Sequence, residues 1–375
     1  MEGPGHVILN ALFLDPSVSG GPETYLRGLA PALSREAPEM RLTVITTRSG
    51  ADALRADGWN EWAQLRALPC EDGQRLRRTF AEQVLLPRVA RSERAELLHS
   101  LASVAPVSAG VPSVITLHDV TFMLRRTFDR VTTFGMAQVI ARAARRADSL
   151  IAVSAAARDE ICRVLELDPA RFTVVPHGAG RLPAVQPVNE AQLRRRYGLE
   201  DGRVVLCVAA KRPHKNQELL LRALARLPGD ARVVLVGHAE PYEAELRELA
   251  ERLGVTERVQ FLEYLPDAEL EGLWRLASCA AFPTLGEGFG LPIIEAMARG
   301  VPVACTDLPV LREVGGDAAR YFPPNDTRAA VAAIEAAWAD PDAPRAGRER
   351  ASRFSWEAAA RGTLDAYARA LERTR

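Results

Sequence analysis

The feature that most constrains the fold is an alternation of short apolar runs with helix-like segments, which is repeated in both halves of the chain. In the first half, apolar runs occupy residues 6–14, 41–46, 111–117, 150–153 and 172–175. In the second half they occupy residues 204–210, 231–236, 258–262, 279–283 and 301–305. This alternation is typical of parallel strands joined by crossover helices. We therefore expect an α/β fold with two doubly wound parallel sheets, whose ligands bind at the carboxyl ends of the strands.

Length and composition narrow the class of protein further. A chain of 375 residues is long enough for two domains that each bury a core. Its formal net charge of zero gives no general attraction to nucleic acid or membrane. Cys207, Cys279 and Cys305 lie within apolar runs, which predicts hydrophobic packing. Because we find neither a signal peptide before the first strand nor an apolar run of membrane-spanning length, we expect a cytoplasmic protein.

A glycine-rich turn at residues 284–290 carries most of the chemical information. It follows the apolar run 279–283, and a short helix is predicted after it, with Pro292 in the first turn and Gly300 just past the end. The glycines allow a ligand to approach the backbone closely, and the amide groups at the helix start favour an anion. Glu287 on the loop and Glu295 in the helix add two hydrogen-bond acceptors. The combination predicts a polyhydroxylated ligand that bears phosphate, such as a nucleotide sugar.

The distribution of lysine indicates a second part of the same site. Among 48 lysine and arginine residues, lysine occurs only at positions 211 and 215. Both follow the apolar run 204–210, at the expected carboxyl end of a strand. Compact ammonium groups in this position suit a diphosphate. A solvated basic turn is the alternative.

These segments resemble those of a known family. Glu287 to Glu295 matches the E-x7-E motif of the retaining GT-B glycosyltransferases of family four, and the flanking Gly-Phe-Gly-Leu-Pro looks like its donor-site signature. Lys215-Asn216 is similar to that family's Lys-Asn pair, whereas Ala209-Ala210 departs from the usual Gly-Arg. The resemblance implies that Glu287 contacts the donor sugar and Glu295 the ribose. It assigns further donor contacts to Lys215, to Arg212 or Lys211, and to Gly288, Phe289, Gly290 and Leu291.

The same resemblance extends to the first half of the chain. His118 follows the apolar run 111–117 at the point where the family has a histidine near the reacting sugar, so His118 inherits a catalytic role. A purely structural histidine remains the alternative, and Asp119 either orients His118 or turns the chain. Gly20-Gly21 resembles the family's N-terminal loop beside the donor phosphates and the acceptor.

The expected architecture is GT-B, with two Rossmann-like domains facing a central cleft. We expect an acceptor-side domain at residues 1–180, a linker at 181–190 and a donor-binding domain at 191–356. A C-terminal helix at 357–375 would return to complete the first domain, as in other GT-B enzymes.

The resemblance implies a retaining, metal-independent hexosyltransferase. Its donor would be an NDP-hexose (GDP-mannose, dTDP-rhamnose or a UDP-sugar), with no cofactor, and its acceptor a hydroxyl of a glycan, a lipid-linked molecule or a small molecule. Three alternatives stay open: a sugar-nucleotide epimerase, a sugar phosphorylase, and a non-catalytic nucleotide-sugar-binding subunit. A phosphorylase would need a lysine for pyridoxal phosphate, and both lysines lie in the loop that suits diphosphate.

Two further patterns have less specific interpretations. Asp340-Pro-Asp342 spells the metal-binding triad of another glycosyltransferase fold, but its proline-rich setting predicts a turn. Residues 75–94 and 125–146 each contain six arginines. Solvated surface is the default interpretation, and docking to an anionic lipid surface or a phosphorylated acceptor is the functional one. In the second case the protein would be peripheral at the inner membrane face.

Overall fold

The computed structural model describes residues 4–16, 20–70, 74–124, 130–179, 185–200 and 202–374. The chain divides into two compact units, Met1–Gly178 with Phe354–Arg375, and Ala179–Arg353. Residues 181–184 of the expected linker lie outside the described part, and its last residue begins a helix.

The first unit contains a seven-stranded parallel sheet within the described residues. Its strands are β1 (His6–Asn10), β2 (Arg41–Thr46), β3 (Gln64–Ala67), β4 (Leu97–Ser100), β5 (Ser113–Leu117), β6 (Ser149–Ala152) and β7 (Phe172–Val174). They lie in the order β3-β2-β1-β4-β5-β6-β7. Because residues alternate between the faces of a strand, Val7 and Leu9 of β1 pack into one core cluster while Ile8 packs into the other.

The helices of the first unit connect these strands. They are α1 (Gly21–Glu36), α2 (Arg48–Ala56), α3 (Arg75–Phe80), α4 (Leu86–Ser92), α5 (Thr121–Leu124), α6 (Arg130–Arg146) and α7 (Ala155–Leu165), with a π-helical turn (Ala81–Leu85) between α3 and α4. From the sequence, Ser154 is a favourable N-cap for a helix over residues 155–165, and α7 has these bounds. The Ser154 hydroxyl accepts a hydrogen bond from the Ala157 N–H at 2.9 Å, which satisfies one of the unpaired donors of the first turn.

The second unit contains a six-stranded parallel sheet in the order β10-β9-β8-β11-β12-β13. Its strands are β8 (Val204–Val208), β9 (Arg232–Val236), β10 (Val259–Leu262), β11 (Ala277–Phe282), β12 (Val303–Thr306) and β13 (Ala319–Phe322). Its helices are α8 (Glu190–Tyr197), α9 (Gln217–Leu224), α10 (Tyr242–Arg252), α11 (Asp267–Leu276), α12 (Leu291–Ala298), α13 (Pro309–Gly315), α14 (Thr327–Ala339) and α15 (Ala343–Ala351). The expectation of two parallel α/β sheets is confirmed.

The last helix, α16 (Trp356–Thr374), belongs to the first unit, where it packs against α1 and strands β5 to β7. Ala359, Thr363, Ala366 and Ala370 recur at helical spacing on its buried side. Their small side chains allow close approach to α1. The described residues include no helix that is long and apolar enough to cross a membrane.

Candidate functional site

The two loops that the sequence singles out in the second unit are in contact. Strands β8 and β11 are neighbours in the sheet, so the loops at their carboxyl ends meet at one edge. The Leu285 N–H donates to the His214 carbonyl oxygen at 2.8 Å, and the Asn216 side-chain amide donates to the Pro283 carbonyl oxygen at 3.2 Å. Asn216 has φ of 53°, a left-handed conformation that asparagine tolerates better than most residues.

An ion pair joins the charged groups of these loops. Lys215 Nζ donates to Glu287 Oε1 at 2.6 Å, and the two side chains are 21% and 17% exposed. Because both groups are partly desolvated, each charge stabilises the other in this conformation. An incoming diphosphate could replace the carboxylate as the partner of Lys215, which would leave Glu287 to accept hydrogen bonds from hydroxyl groups.

The glycine-rich turn ends in a conformation that requires glycine. Gly290 has φ of 94°, and a Cβ atom there would lie 2.7 Å from the Leu311 side chain. Helix α12 then begins at Leu291 with Pro292 in its first turn and no side-chain cap. Phe289 is buried beside this helix start, and Gly288 precedes it. The start of α12 thus has the features that favour an anion or a hydroxyl oxygen.

Glu295 lies one turn into α12, in a less polar setting than Glu287. Burial raises the pKa of the Glu295 carboxyl to about 7, and the nearby Arg299 guanidinium only partly offsets this effect. That guanidinium is engaged by the carboxylate of Glu271 and by the backbone oxygen of Glu295. The Glu295 side chain is therefore a weakly solvated acceptor, suited to a hydroxyl donor.

Of the two basic residues considered for the second diphosphate contact, Lys211 lies inside the fold. The Lys211 side chain is fully buried, and its ammonium group donates to the carbonyl oxygens of Gly237 and Leu262 at 2.6 and 2.7 Å. It also lies 3.3 Å from a carboxylate oxygen of Glu243. With these three acceptors around it, the group ties the ends of β9 and β10 to α10 and is not accessible to a ligand.

Arg212, the alternative basic residue, lies at the surface. Its side chain is 44% exposed, and its guanidinium donates twice to one oxygen of Glu240, at 3.0 and 2.6 Å. Surface ion pairs of this kind contribute little to stability and exchange partners readily. Of the two residues considered for a second diphosphate contact, Arg212 is the accessible one.

In the first unit, His118 lies at the carboxyl end of β5 with its tautomer defined. His118 Nε2 lies 2.7 Å from the Leu101 carbonyl oxygen, and the backbone N–H of His118 donates to Ser103 Oγ at 3.3 Å. Burial lowers the pKa of the His118 imidazole. Because a carbonyl oxygen can only accept, Nε2 carries the proton of the neutral ring. The Nδ1 lone pair, which bonds to none of the described residues, can then accept a hydrogen bond from a hydroxyl group.

Sequence reasoning missed the neighbours of His118. The rings of Tyr25 and His177 lie with their centroids 5.0 and 5.4 Å from the His118 ring. Burial lowers the pKa of His177 well below its ordinary value. The one available signal was a histidine within the Pro176–Gly178 turn at the carboxyl end of a strand.

Asp119 and the paired glycines have simpler settings. The Asp119 carboxylate accepts a hydrogen bond from the Thr121 N–H at 2.7 Å, so it turns the chain into α5. Gly20 is extended and precedes α1, which begins at Gly21. A Cβ atom at either glycine would have nothing within 4 Å. Neither glycine is required by the backbone conformation, so the expected role in ligand binding depends on the open space beside this helix start.

The acidic pair at residues 340 and 342 occupies a turn. Asp340 pairs with Arg320 and accepts a hydrogen bond from the Asp342 N–H at 2.9 Å. Across the described ranges, no group of three His, Cys, Asp or Glu side chains could hold a metal ion. The five cysteines are buried and unbridged, three of them in strands β8, β11 and β12.

Two family profiles match the chain and together extend over both units. Residues 19–179 match the profile described as Glycosyltransferase Family 4, and residues 189–354 match the one described as Glycosyl transferases group 1.

Three curated relatives are named as mannosyltransferases or glycosyltransferases. The O-antigen chain mannosyltransferase B of Escherichia coli is 31% identical over 269 residues, which cover 68% of this chain and 70% of the relative. The D-inositol 3-phosphate glycosyltransferase of Mycobacteroides abscessus is 33% identical over 70% of this chain, but only 61% of its own length is matched. For the MMP alpha-(1->4)-mannosyltransferase of Mycolicibacterium hassiacum the identity is 32%, over 64% of this chain and 58% of the relative.

Solved structures share the fold over nearly the whole chain. Sucrose-phosphate synthase from Thermosynechococcus elongatus aligns with a TM-score of 0.75 at 22% identity, over 97% of this chain and 98% of its own. Anabaena HepE in complex with UDP and glucose also gives a TM-score of 0.75, at 20% identity over 96% and 98%. With the GT-B fold shared and both profiles matched, this chain belongs to the group 1, family 4 glycosyltransferases.

Proposed function

We propose that this protein transfers a hexose from an NDP-sugar to a hydroxyl group, with retention of anomeric configuration and without a divalent metal. The observation that carries the proposal is the Lys215–Glu287 ion pair. At the carboxyl edge of the second sheet, it joins an ammonium group that suits a diphosphate to a carboxylate that can accept hydrogen bonds from sugar hydroxyls. UDP and UDP-glucose complexes among the structural neighbours support an NDP-sugar as the ligand class.

On the donor side, each charged group has a distinct role. Lys215 and Arg212 bind the diphosphate oxygens, assisted by the backbone at Gly288–Leu291. Glu287 orients the sugar by accepting hydrogen bonds from its hydroxyls, and Glu295 accepts from the ribose. Because Lys215 can neutralise charge that develops on the departing diphosphate, the site needs no bound metal ion for that purpose.

On the acceptor side, the neutral His118 ring accepts a hydrogen bond from a sugar hydroxyl through Nδ1, and the Gly20-Gly21 turn leaves room for the ligand. In the reaction, the bond between the anomeric carbon and the diphosphate oxygen breaks. The acceptor oxygen bonds to the same face of that carbon, and its proton passes to the departing phosphate oxygen. Catalysis rests on orientation of the sugar and stabilisation of the leaving group.

The first unit also supports an acceptor carried on an anionic lipid surface. Phe80 in α3 is 55% exposed and Phe134 in α6 is 67% exposed, and both lie in arginine-rich segments. Residues 125–129 of the second segment lie outside the described part. Sedimentation with phosphatidylglycerol vesicles, compared with phosphatidylcholine vesicles, tests this point. Equal binding to both kinds of vesicle, or binding to neither, would contradict an acceptor on an anionic lipid surface.

Product analysis tests the proposed reaction. The protein is incubated with GDP-mannose, dTDP-rhamnose or UDP-glucose, with and without hydroxyl acceptors, and the released NDP and glycoside are quantified. We expect acceptor-dependent release of one NDP, and a product whose anomeric configuration matches the donor by NMR. EDTA should leave the rate unchanged. An inverted product would exclude retention, and loss of turnover in EDTA that Mg²⁺ or Mn²⁺ restores would exclude metal independence.

A matched pair of variants assigns that activity to the site. Glu287→Gln should lose most turnover, whereas Glu335→Gln, on the exposed surface of α14, should retain it. A panel in which no donor is consumed, despite NDP binding, would favour the non-catalytic alternative.

A further inference from the structure

We propose that Tyr25 is a positioning residue for His118, and that a chain of buried hydrogen bonds anchors Tyr25 to the last helix. The inference rests on the proposed function, in which His118 contacts the reacting sugar. It adds a role for residues that neither the motifs nor the glycine-rich loops indicate. It also connects α16 to the candidate active site through side chains of the first unit alone.

The Tyr25 ring is in direct contact with both histidines of the cluster. It is fully buried, and it meets the His118 ring at 88° with the centroids 5.0 Å apart. The His177 ring lies 4.7 Å away at 57°. Perpendicular contact of this kind is a favoured arrangement of aromatic rings. Since the Leu101 carbonyl oxygen holds Nε2 of His118, Tyr25 supplies the second contact that restricts rotation of that ring.

The Tyr25 hydroxyl is held by a chain of polar side chains. Its oxygen lies 3.1 Å from Thr116 Oγ1, which lies 2.8 Å from His99 Nε2. The other nitrogen of His99 lies 2.8 Å from the Tyr367 hydroxyl in α16. All four side chains belong to fully buried residues. A buried polar group that loses its partner is costly, so this chain resists displacement of the Tyr25 ring.

The chain of hydrogen bonds includes Thr116 of β5, which is close to His118 in sequence. Thr116 and His118 are two residues apart, so their side chains lie on the same face of the sheet. Helix α16 and helix α1 lie on that side, where Tyr367 and Tyr25 contribute their hydroxyls. The hydrogen bonds therefore connect the strand that carries His118, the helix that carries Tyr25 and the last helix of the chain.

Trp356 packs against the rings of both Tyr25 and His177. Its ring centroid lies 6.1 Å from that of Tyr25 and 5.8 Å from that of His177. A Cβ atom at Gly28 or Gly178 would lie 2.1 or 2.6 Å from this side chain, so both positions need glycine to accommodate it. With Trp356 packed against them, Tyr25 and His177 have no room to move away from His118.

A purely structural role for Tyr25 would have different consequences. In that case its loss would lower stability but would leave the His118 ring in one tautomer and turnover of the folded protein intact. The two cases are separated by measurements on His118 itself. Long-range ¹H–¹⁵N spectra report the imidazole tautomer, with the His118 signals assigned by comparison with His118→Asn.

The experiment compares Tyr25→Leu, Tyr25→Phe and wild type. For Tyr25→Leu we expect the single Nε2–H tautomer of His118 to be lost and kcat to fall at least tenfold, with NDP affinity within twofold of wild type. Tyr25→Phe keeps the ring contact but loses the hydrogen bond to Thr116, so it should give a partly mixed tautomer and a smaller loss of kcat than Tyr25→Leu. Tyr197→Phe, which removes a partly buried tyrosine–carboxylate hydrogen bond in the second unit, is the control for loss of a hydroxyl.

Thr116→Val keeps the test decisive if Tyr25→Leu does not fold. It removes the hydroxyl that Tyr25 and His99 share, and we expect a mixed His118 tautomer with a kcat below that of Tyr197→Phe. An unchanged tautomer in either Tyr25→Leu or Thr116→Val overturns the proposal, as does full turnover. The spectra need no turnover, so a wild type that transfers no sugar contradicts the proposed function while the positioning role is still decided.

Discussion

The candidate sites of the two units differ in how they hold their reactive groups. In the second unit, Lys215 and Glu287 are charged, partly exposed and paired with each other across two loops. In the first unit, burial lowers the pKa of the His118 ring, which packs against the buried rings of Tyr25 and His177. The difference fits the chemistry proposed for each. A diphosphate needs a cation that can change partners, whereas a reacting sugar needs an acceptor whose direction does not change.

The contrast recurs between the two lysines of one loop. Lys215 is accessible and has a single carboxylate partner, while Lys211, four residues earlier, is enclosed by two carbonyl oxygens and a carboxylate. Identical side chains close in sequence thus have different surroundings, and we propose that Lys215 serves a ligand while Lys211 stabilises the fold. Substitutions at these positions test that distinction most directly.

The largest effect is expected for Lys215→Ala. Removing a charge-assisted contact to phosphate should weaken NDP binding by about 1.5–3 kcal/mol, or roughly 10- to 150-fold, and abolish detectable transfer. Calorimetry with NDP and a turnover assay measure both. Arg222→Ala, which removes an exposed cation from α9, is the matched control. NDP affinity equal to wild type in Lys215→Ala would remove the assignment.

Lys211→Met should act on stability instead. The substitution leaves the carbonyl oxygens of Gly237 and Leu262 without their donor, which should lower the free energy of unfolding by about 2–3 kcal/mol. NDP affinity of the folded protein should stay within twofold of wild type. Thermal unfolding and calorimetry separate the two effects. A loss of NDP affinity with no change in Tm would instead mean that Lys211 contacts the ligand.

The two glutamates should separate turnover from binding. Glu287→Gln should lower kcat about tenfold or more with little change in NDP affinity, because orientation of the sugar matters most in the transition state. Glu295→Gln should mainly weaken binding of NDP, a ligand that carries ribose but no sugar. Equal losses of NDP affinity in both variants would show that the motif is placed wrongly on the ligand.

A pH dependence of stability is expected from Glu295. Burial raises the pKa of its carboxyl from an ordinary value of 4.5 to about 7, so the folded state binds a proton more tightly than the unfolded state. Stability should therefore fall as pH rises from about 4.5 to 7, by at most about 3 kcal/mol, and then level off. Glu295→Gln should remove this component from a plot of Tm against pH. Parallel curves for the two proteins would contradict it.

Local sequence determined much of the fold and predicted much of the candidate donor site. Periodicity placed the strands close to their observed bounds, and β2 and α7 matched them at both ends, because a buried run or a capped helix is set by neighbouring residues. Strands β3, β4 and β13 were missed. Of these, β3 is largely exposed, and polar residues interrupt the apolar runs of the other two, His99 and Ser100 in β4 and Arg320 in β13.

The sequence also predicted Lys215, Glu287, Glu295 and the turn at Gly290 as parts of the donor site, since each lies within a continuous motif. Only the tertiary structure decided which of Lys211 and Lys215 is accessible, because that depends on where β9 and β10 end around the side chain. Likewise, Tyr25, His99, His177 and Tyr367 meet around His118 although they are spread from the first helix to the last. A motif shows which chemical groups are close together in sequence, whereas burial and ring contacts arise only when distant segments pack together.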